Sequence, residues 1–166
     1  MISGGLRWYT VGGYLVTAVK DGLTIPVARS GQVPGELAWD ECCDGLLGVS
    51  APRTYFSEEF PAEAEGTIGI ICQPPYEVGE FTVTVLRCAP QPNGQDTSPT
   101  AADLDASAAL LLQDMAETSD KVAAVLCSLK ASDLISDYML TPAEAAGPEG
   151  ACVGVNLRVL VGLERA

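Results

Sequence analysis

The chain has 166 residues, 48% hydrophobic and 19% charged, the composition of one folded domain over residues 1–166 and not of a disordered segment. Nine basic against 22 acidic residues leave a net charge of −13, which excludes a sequence-independent grip on nucleic acid, because that grip needs Lys and Arg on phosphates. No run approaches the ~20 apolar residues of a membrane span, and the first residues lack the basic-then-apolar pattern of an export signal, so neither membrane insertion nor export by that route is expected.

Residues 5–21 read as a first helix, with Leu6, Tyr9, Gly13 and Val16 on one stripe and Gly22 placed to end it. Gly12 and Gly13 fall in its middle, where each costs about 1 kcal/mol relative to alanine, so they mark close packing or an irregular start. Residues 25–35 are punctuated by Gly and Pro and are expected to form a loop. Pro34 at a first-turn position, the run from Glu36 to Cys43 and a closing Gly45 predict a short helix. Strands are expected over residues 46–57 and 67–72, separated by an acidic loop at 58–66. Phe81, Val83 and Val85 alternate with Thr82 and Thr84, which predicts a strand over 81–89 with two different faces.

The longest helix is predicted from Pro99 or Thr100 to about Leu129. Thr100 and Asp103 approximate a capping box, and Leu104, Ala108, Leu111, Met115, Val122, Val125 and Leu129 keep a 3.6-residue stripe. At 1.5 Å per residue it is ~45 Å long, enough to cover a sheet. Its solvent side is expected to carry Asp105, Gln113, Asp114, Glu117, Asp120 and Lys121. Residues 141–150 read as a loop. A last strand follows, with Val153, Val155, Leu157, Val159, Val161 and Leu163 on one face. This order predicts an α+β fold: a mostly antiparallel sheet with the long helix packed on one face and an N-terminal helix.

The chain has no histidine, which removes Ser-His and Cys-His nucleophiles and the commonest metal ligand together. Ser-Lys chemistry through Lys20, Lys121 or Lys130 is outweighed by a plain reading of each as a solvated charge. Six cysteines stand as Cys42-Cys43 and then singly at 72, 88, 127 and 152, without the paired Cys-x-x-Cys spacing of zinc sites. With no export signal they are expected to be free, buried thiols; a Cys43 bridge to Cys72 or Cys88 is the alternative, and it requires a Cα spacing of ~5.5 Å. The carboxylate pairs Asp40-Glu41 and Glu58-Glu59 read as exposed acids, and Gly12-Gly13 lacks any phosphate-loop spacing. No catalytic, cofactor-binding or metal-binding residue is expected, and the chain reads as a non-enzymatic assembly protein.

Several phrases carry a family resemblance: Val33-Pro-Gly-Glu-Leu-Ala-Trp-Asp-Glu-Cys-Cys-Asp-Gly, the stretch from Arg53-Thr-Tyr to Phe60-Pro61, Val85-Leu-Arg-Cys-Ala-Pro90, Ser98-Pro-Thr100 before the long helix, and the closing run from Gly150 through Leu163. Together they resemble tail terminator proteins of long-tailed, siphovirus-type phages of actinobacteria, and the element order resembles the lambda-type tail terminator. The resemblance implies a virion protein of the tail and neck, assembled in the host cytoplasm. It implies a homohexameric ring that caps the tail tube protein, ends polymerisation and presents the surface for the head-tail connector or stopper protein. Genomic DNA would pass through without specific binding. The neighbouring readings are another neck component, such as the head-tail stopper or a minor tail protein, and a soluble bacterial binding module. From Glu36 to Glu80 there are ten carboxylates and one base, Arg53, so a ring lumen lined by them would repel DNA.

Overall fold

A computed structural model describes residues 4–64, 74–92, 94 and 97–165. Among them the elements run α1 (Gly4–Gly22), β1 (Arg29–Val33), β2 (Leu46–Ser57), β3 (Tyr76–Cys88), α2 (Ala101–Ala131), β4 (Asp137–Leu140), β5 (Glu144–Glu149) and β6 (Cys152–Glu164). The strands form one sheet in the order β1-β2-β3-β6-β4, with β5 also paired to β6. Only β1 runs parallel to its neighbour; the other pairings are antiparallel, and the fold is α+β as expected. The expected strand at 67–72 lies outside the described residues.

The centre of the sheet is built from the three strands whose sequences alternate most clearly. β3 and β6 pair along their whole length, from Tyr76 opposite Glu164 to Cys88 opposite Cys152. Phe81, Val83 and Val85 of β3 and Val155 through Leu163 of β6 therefore share one face, where α1 and α2 cover them.

α1 forms where expected but buries a different stripe. Trp8, Val11, Leu15 and Val19 enter the core, whereas Tyr9 is 68% exposed and Val16 packs at the edge. The indole of Trp8 decides the rotation: its ring lies against Gly79 of β3, where a Cβ would come within 2.8 Å, and its Nε1 donates to Glu77 Oε1 at 2.9 Å. Gly12 does mark close packing, because the Gln32 side chain occupies the space a Cβ would need and Gln32 Nε2 donates to the Tyr9 carbonyl at 2.8 Å.

Three expectations about the connections are overturned. Residues 25–35 are not all loop: they contain β1, an edge strand whose Arg-Ser-Gly-Gln-Val has no alternation to read and which exists because β2 offers it a partner, Arg29 against Leu46. Residues 141–150 likewise contain β5, which pairs with β6. The short helix at 34–45 is absent. Leu37 and Trp39, two residues apart, pack together on the second face of the sheet, and Glu41 adopts φ 46°. An i, i+2 pair shares a face in extended chain and not in a helix.

α2 begins as read, with Thr100 as N-cap and reciprocal bonds to Asp103 at 3.1 and 2.9 Å. Asp114, expected in solvent, is only 1% exposed. Its carboxylate takes Arg87 Nε at 2.8 Å and Nη2 at 2.9 Å, while Arg87 also donates to the carbonyls of Ile25 at 2.7 Å and Pro26 at 3.1 Å. One guanidinium thus joins the end of β3, the middle of α2 and the α1–β1 connection. A second clasp lies one turn on, where Glu117 accepts from Thr24 N at 2.8 Å, Thr24 Oγ1 at 2.6 Å and Gln113 Nε2 at 2.9 Å. The Thr24 hydroxyl bond, followed by those from Gln113 and the Thr24 backbone, holds the Glu117 carboxyl below its ordinary value of 4.5.

Two expected outcomes follow from these clasps. Asp114→Ala leaves a buried guanidinium uncompensated and should lose about 3–5 kcal/mol in denaturant unfolding, whereas Arg87→Met with Asp114→Leu should lose less than the two single changes summed. Because the folded-state pKa of Glu117 is depressed, its contribution is present above its ordinary value of 4.5 and is lost as pH falls through the lower folded value. Urea midpoints taken from neutral pH into the acid range should therefore fall more steeply for the wild-type chain than for Glu117→Gln.

Candidate assembly surfaces

The sheet-facing stripe of α2 is longer than the sheet. Thr118, Val122, Leu126 and Leu129 are buried, and Asp114 is the most N-terminal buried residue of the helix. N-terminal to it the same stripe continues through Leu111, which is half-buried, to Ala108 and Leu104, which are exposed: Leu104 is 55% exposed, and Leu112, one turn beyond Ala108, is 66% exposed. Residues 101–113 contain no buried residue, and Leu104, Ala108 and Leu112 form an exposed ridge along them, ~12 Å long at 1.5 Å per residue. Exposed apolar side chains grouped in a contiguous patch mark a contact surface, whereas single ones do not.

At the opposite end of α2, the helix and α1 enclose a cleft of about 350 Å³. Val11, Tyr14, Leu129 and Leu134 supply apolar walls, and Arg7 and Asp133 the charges. Val11 and Leu129 belong to the core and set the floor, while Tyr14 and Leu134 are each 44% exposed at the rim.

The second face of the sheet is divided. Toward one end, Leu37 and Trp39 cover Leu46 and Leu86, and the covering segment is tied down by two disulfides, Cys42–Cys152 and Cys43–Cys88, with Cα separations of 5.9 and 4.1 Å. The expectation of free, buried thiols is overturned for these four, and the Cys43 alternative is realised with Cys88. Adjacent residues 42 and 43 reach Cys152 and Cys88 because those two stand directly opposite each other across β3 and β6. Cys127 is free and exposed, which departs from the expected burial; Cys72 lies outside the described residues. Toward the other end the face is polar and open, a groove of about 370 Å³ in which Glu80 takes Arg53 and Arg158 at 3.2 Å each and Thr84 donates to Asn156 at 2.8 Å.

The residues weighed for chemistry are dispersed. Lys130 donates to Asp137 at 2.8 Å, and that bond raises the lysine pKa, opposite to what a lysine base requires. Lys121 lays its stem against Gly22, and Lys20 is exposed on α1. Asp40 and Glu41 are exposed beside Arg29, at 4.0 and 3.7 Å, and Glu58 and Glu59 are exposed. Among the described residues no group of three or more His, Cys, Asp or Glu is placed to hold a metal, and no helix is long and apolar enough to cross a membrane. The acids between Glu36 and Glu80 do not act as one bare patch: Glu63 and Glu80 pair with Arg53, and Glu77 takes the Trp8 indole.

Neither a protein-family model nor a curated protein sequence matches this chain. The surfaces themselves therefore carry the functional argument. Of these, the ridge was legible as a stripe but was assigned to the core; its exposure depends on where the sheet ends.

Cys42 and Cys152 are 110 residues apart, and closing a loop of that length restricts the unfolded chain by roughly 4–5 kcal/mol in the chain-entropy account. Cys42→Ser should lower unfolding stability by about 2–4 kcal/mol, and alkylation of the native, unreduced protein followed by mass spectrometry should label Cys127 while sparing Cys42, Cys43, Cys88 and Cys152.

Proposed function

We propose that this chain is a structural subunit of a phage virion, a tail terminator that assembles as a homohexameric ring on the end of the tail tube. The observation that carries the reading is the uncovered ridge of α2. A subunit that functioned alone would gain nothing from a capped, leucine-bearing helix whose first three turns bury no residue; a subunit that ends in a neighbour's surface would. The sequence phrases that resemble tail terminators support the same reading, as does a fold whose polar residues are committed to pairing and not to a reactive centre.

The mechanism on this reading is steric and thermodynamic, with no bond made or broken. The ring covers the growing end of the tube and offers the next tube subunit no matching surface, so polymerisation stops. Its other side is the docking surface for the connector or stopper of the filled head. Contacts of this kind are heterologous, and a rotational ring closes them. With −13 per chain, carboxylates facing the lumen let DNA pass without being held.

Removing the gene from the phage that encodes it should give overlong tails without heads, seen by electron microscopy of lysates. Unjoined heads with tails of normal length would overturn the terminator reading in favour of a stopper. Light scattering of the purified ring should give about six times 17.3 kDa.

A further inference from the structure

Ridge and cleft lie at opposite ends of one 31-residue helix, so they cannot meet within a chain. At 1.5 Å per residue the helix holds them ~40 Å apart. Each has what the other lacks. The ridge is a convex row of Leu104, Ala108 and Leu112, spaced i, i+4, i+8 with exposed side chains; the cleft is concave, with Val11, Tyr14, Leu129 and Leu134 around its space. The charges match as well. The ridge carries Asp103 and Asp105, and the sequence has no Lys or Arg from residue 88 to residue 120. The cleft holds Arg7, which has no ion-pair partner among the described residues, together with Asp133.

We infer that the partner of the ridge is a second copy of this chain, and that the α2 ridge of one subunit seats in the α1–α2 cleft of the next, with its aspartates toward Arg7. The contact joins two different surfaces, so each added copy presents a fresh ridge and a fresh cleft. Such head-to-tail association closes into a ring when the rotation per step divides a full turn. The inference rests on the ring reading above and specifies the surfaces that make it.

Leu112 and Leu134 are both exposed at the surface of the single chain, so charged substitutions there leave the core intact. Leu112→Glu and Leu134→Glu should each weaken self-association by about 30-fold or more, the loss typical of a central interface residue, as read by sedimentation velocity across a dilution series. Met139→Glu, at an exposed position on β4, should leave association unchanged. The decisive arm mixes the two leucine variants. One retains an intact cleft and the other an intact ridge, so together they should form a dimer and stop there.

Disruption by Leu112→Glu but not by Leu134→Glu would overturn the pairing, because the ridge would then meet another ridge or another protein. A wild-type ring insensitive to both variants would overturn the pairing and leave the ring reading standing. A wild-type chain that stays monomeric at every concentration would also overturn it, and the tail-length phenotype of the gene deletion would then decide the ring reading separately.

Discussion

The buried contact between Arg87 and Asp114 sets the position of everything on the helical face. Bringing two charges out of water costs several kcal/mol per ion, and attraction alone does not reliably offset it. Here the cost is offset by giving every guanidinium nitrogen a partner: two bonds to one carboxylate and two to the carbonyls of Ile25 and Pro26. Four directional bonds from one side chain also do what apolar packing cannot. A row of valines and leucines tolerates a helix sliding along it, but a bidentate guanidinium has a single geometry. The pair therefore fixes the axial register of α2 against β3 and, through the two carbonyls, the path by which α1 delivers the chain to the edge strand.

That register has a consequence for the surface. Asp114 is the most N-terminal buried residue of α2, so the turns before it are at most half-buried, and Leu104, Ala108 and Leu112 stand exposed. Burial of the stripe from Thr118 to Leu129 anchors the helix, while the Thr100 and Asp103 capping box keeps the unsupported end from fraying. Hydrogen bonding from Thr100 holds the Asp103 carboxyl below its ordinary value, so the cap is fully formed at neutral pH. A rigid projecting helix with an apolar side is suited to association, because little conformational entropy remains to be lost on contact.

The opposite face is organised by a different device. The segment from 34 to 45 has no regular structure, yet it covers Leu46 and Leu86. Two covalent ties to neighbouring strands hold it there in place of the hydrogen-bond ladder that would hold a strand. The polar half of that face stays open, with Glu80 fixed between two arginines.

The α+β class, the limits of β2, the capping box of α2 and the inward face of β6 were all readable in the amino-acid order, because each rests on periodicity or on a local bond within a few residues. The edge strands β1 and β5 were not, since neither has an apolar rhythm and each exists through what its neighbour offers. The buried stripe of α1, Trp8, Val11, Leu15 and Val19, keeps helical spacing and was there to be read in place of Leu6, Tyr9, Gly13 and Val16; what the tertiary structure adds is the fit of Trp8 over Gly79. Asp114 reads as a solvated acid in the sequence because its partner lies 27 residues away on a strand, beyond any spacing rule. The disulfides depend on the β3–β6 register, which sets Cys88 and Cys152 side by side. Whether a helical leucine is core or interface is decided by where the sheet ends, and that boundary belongs to the tertiary structure alone.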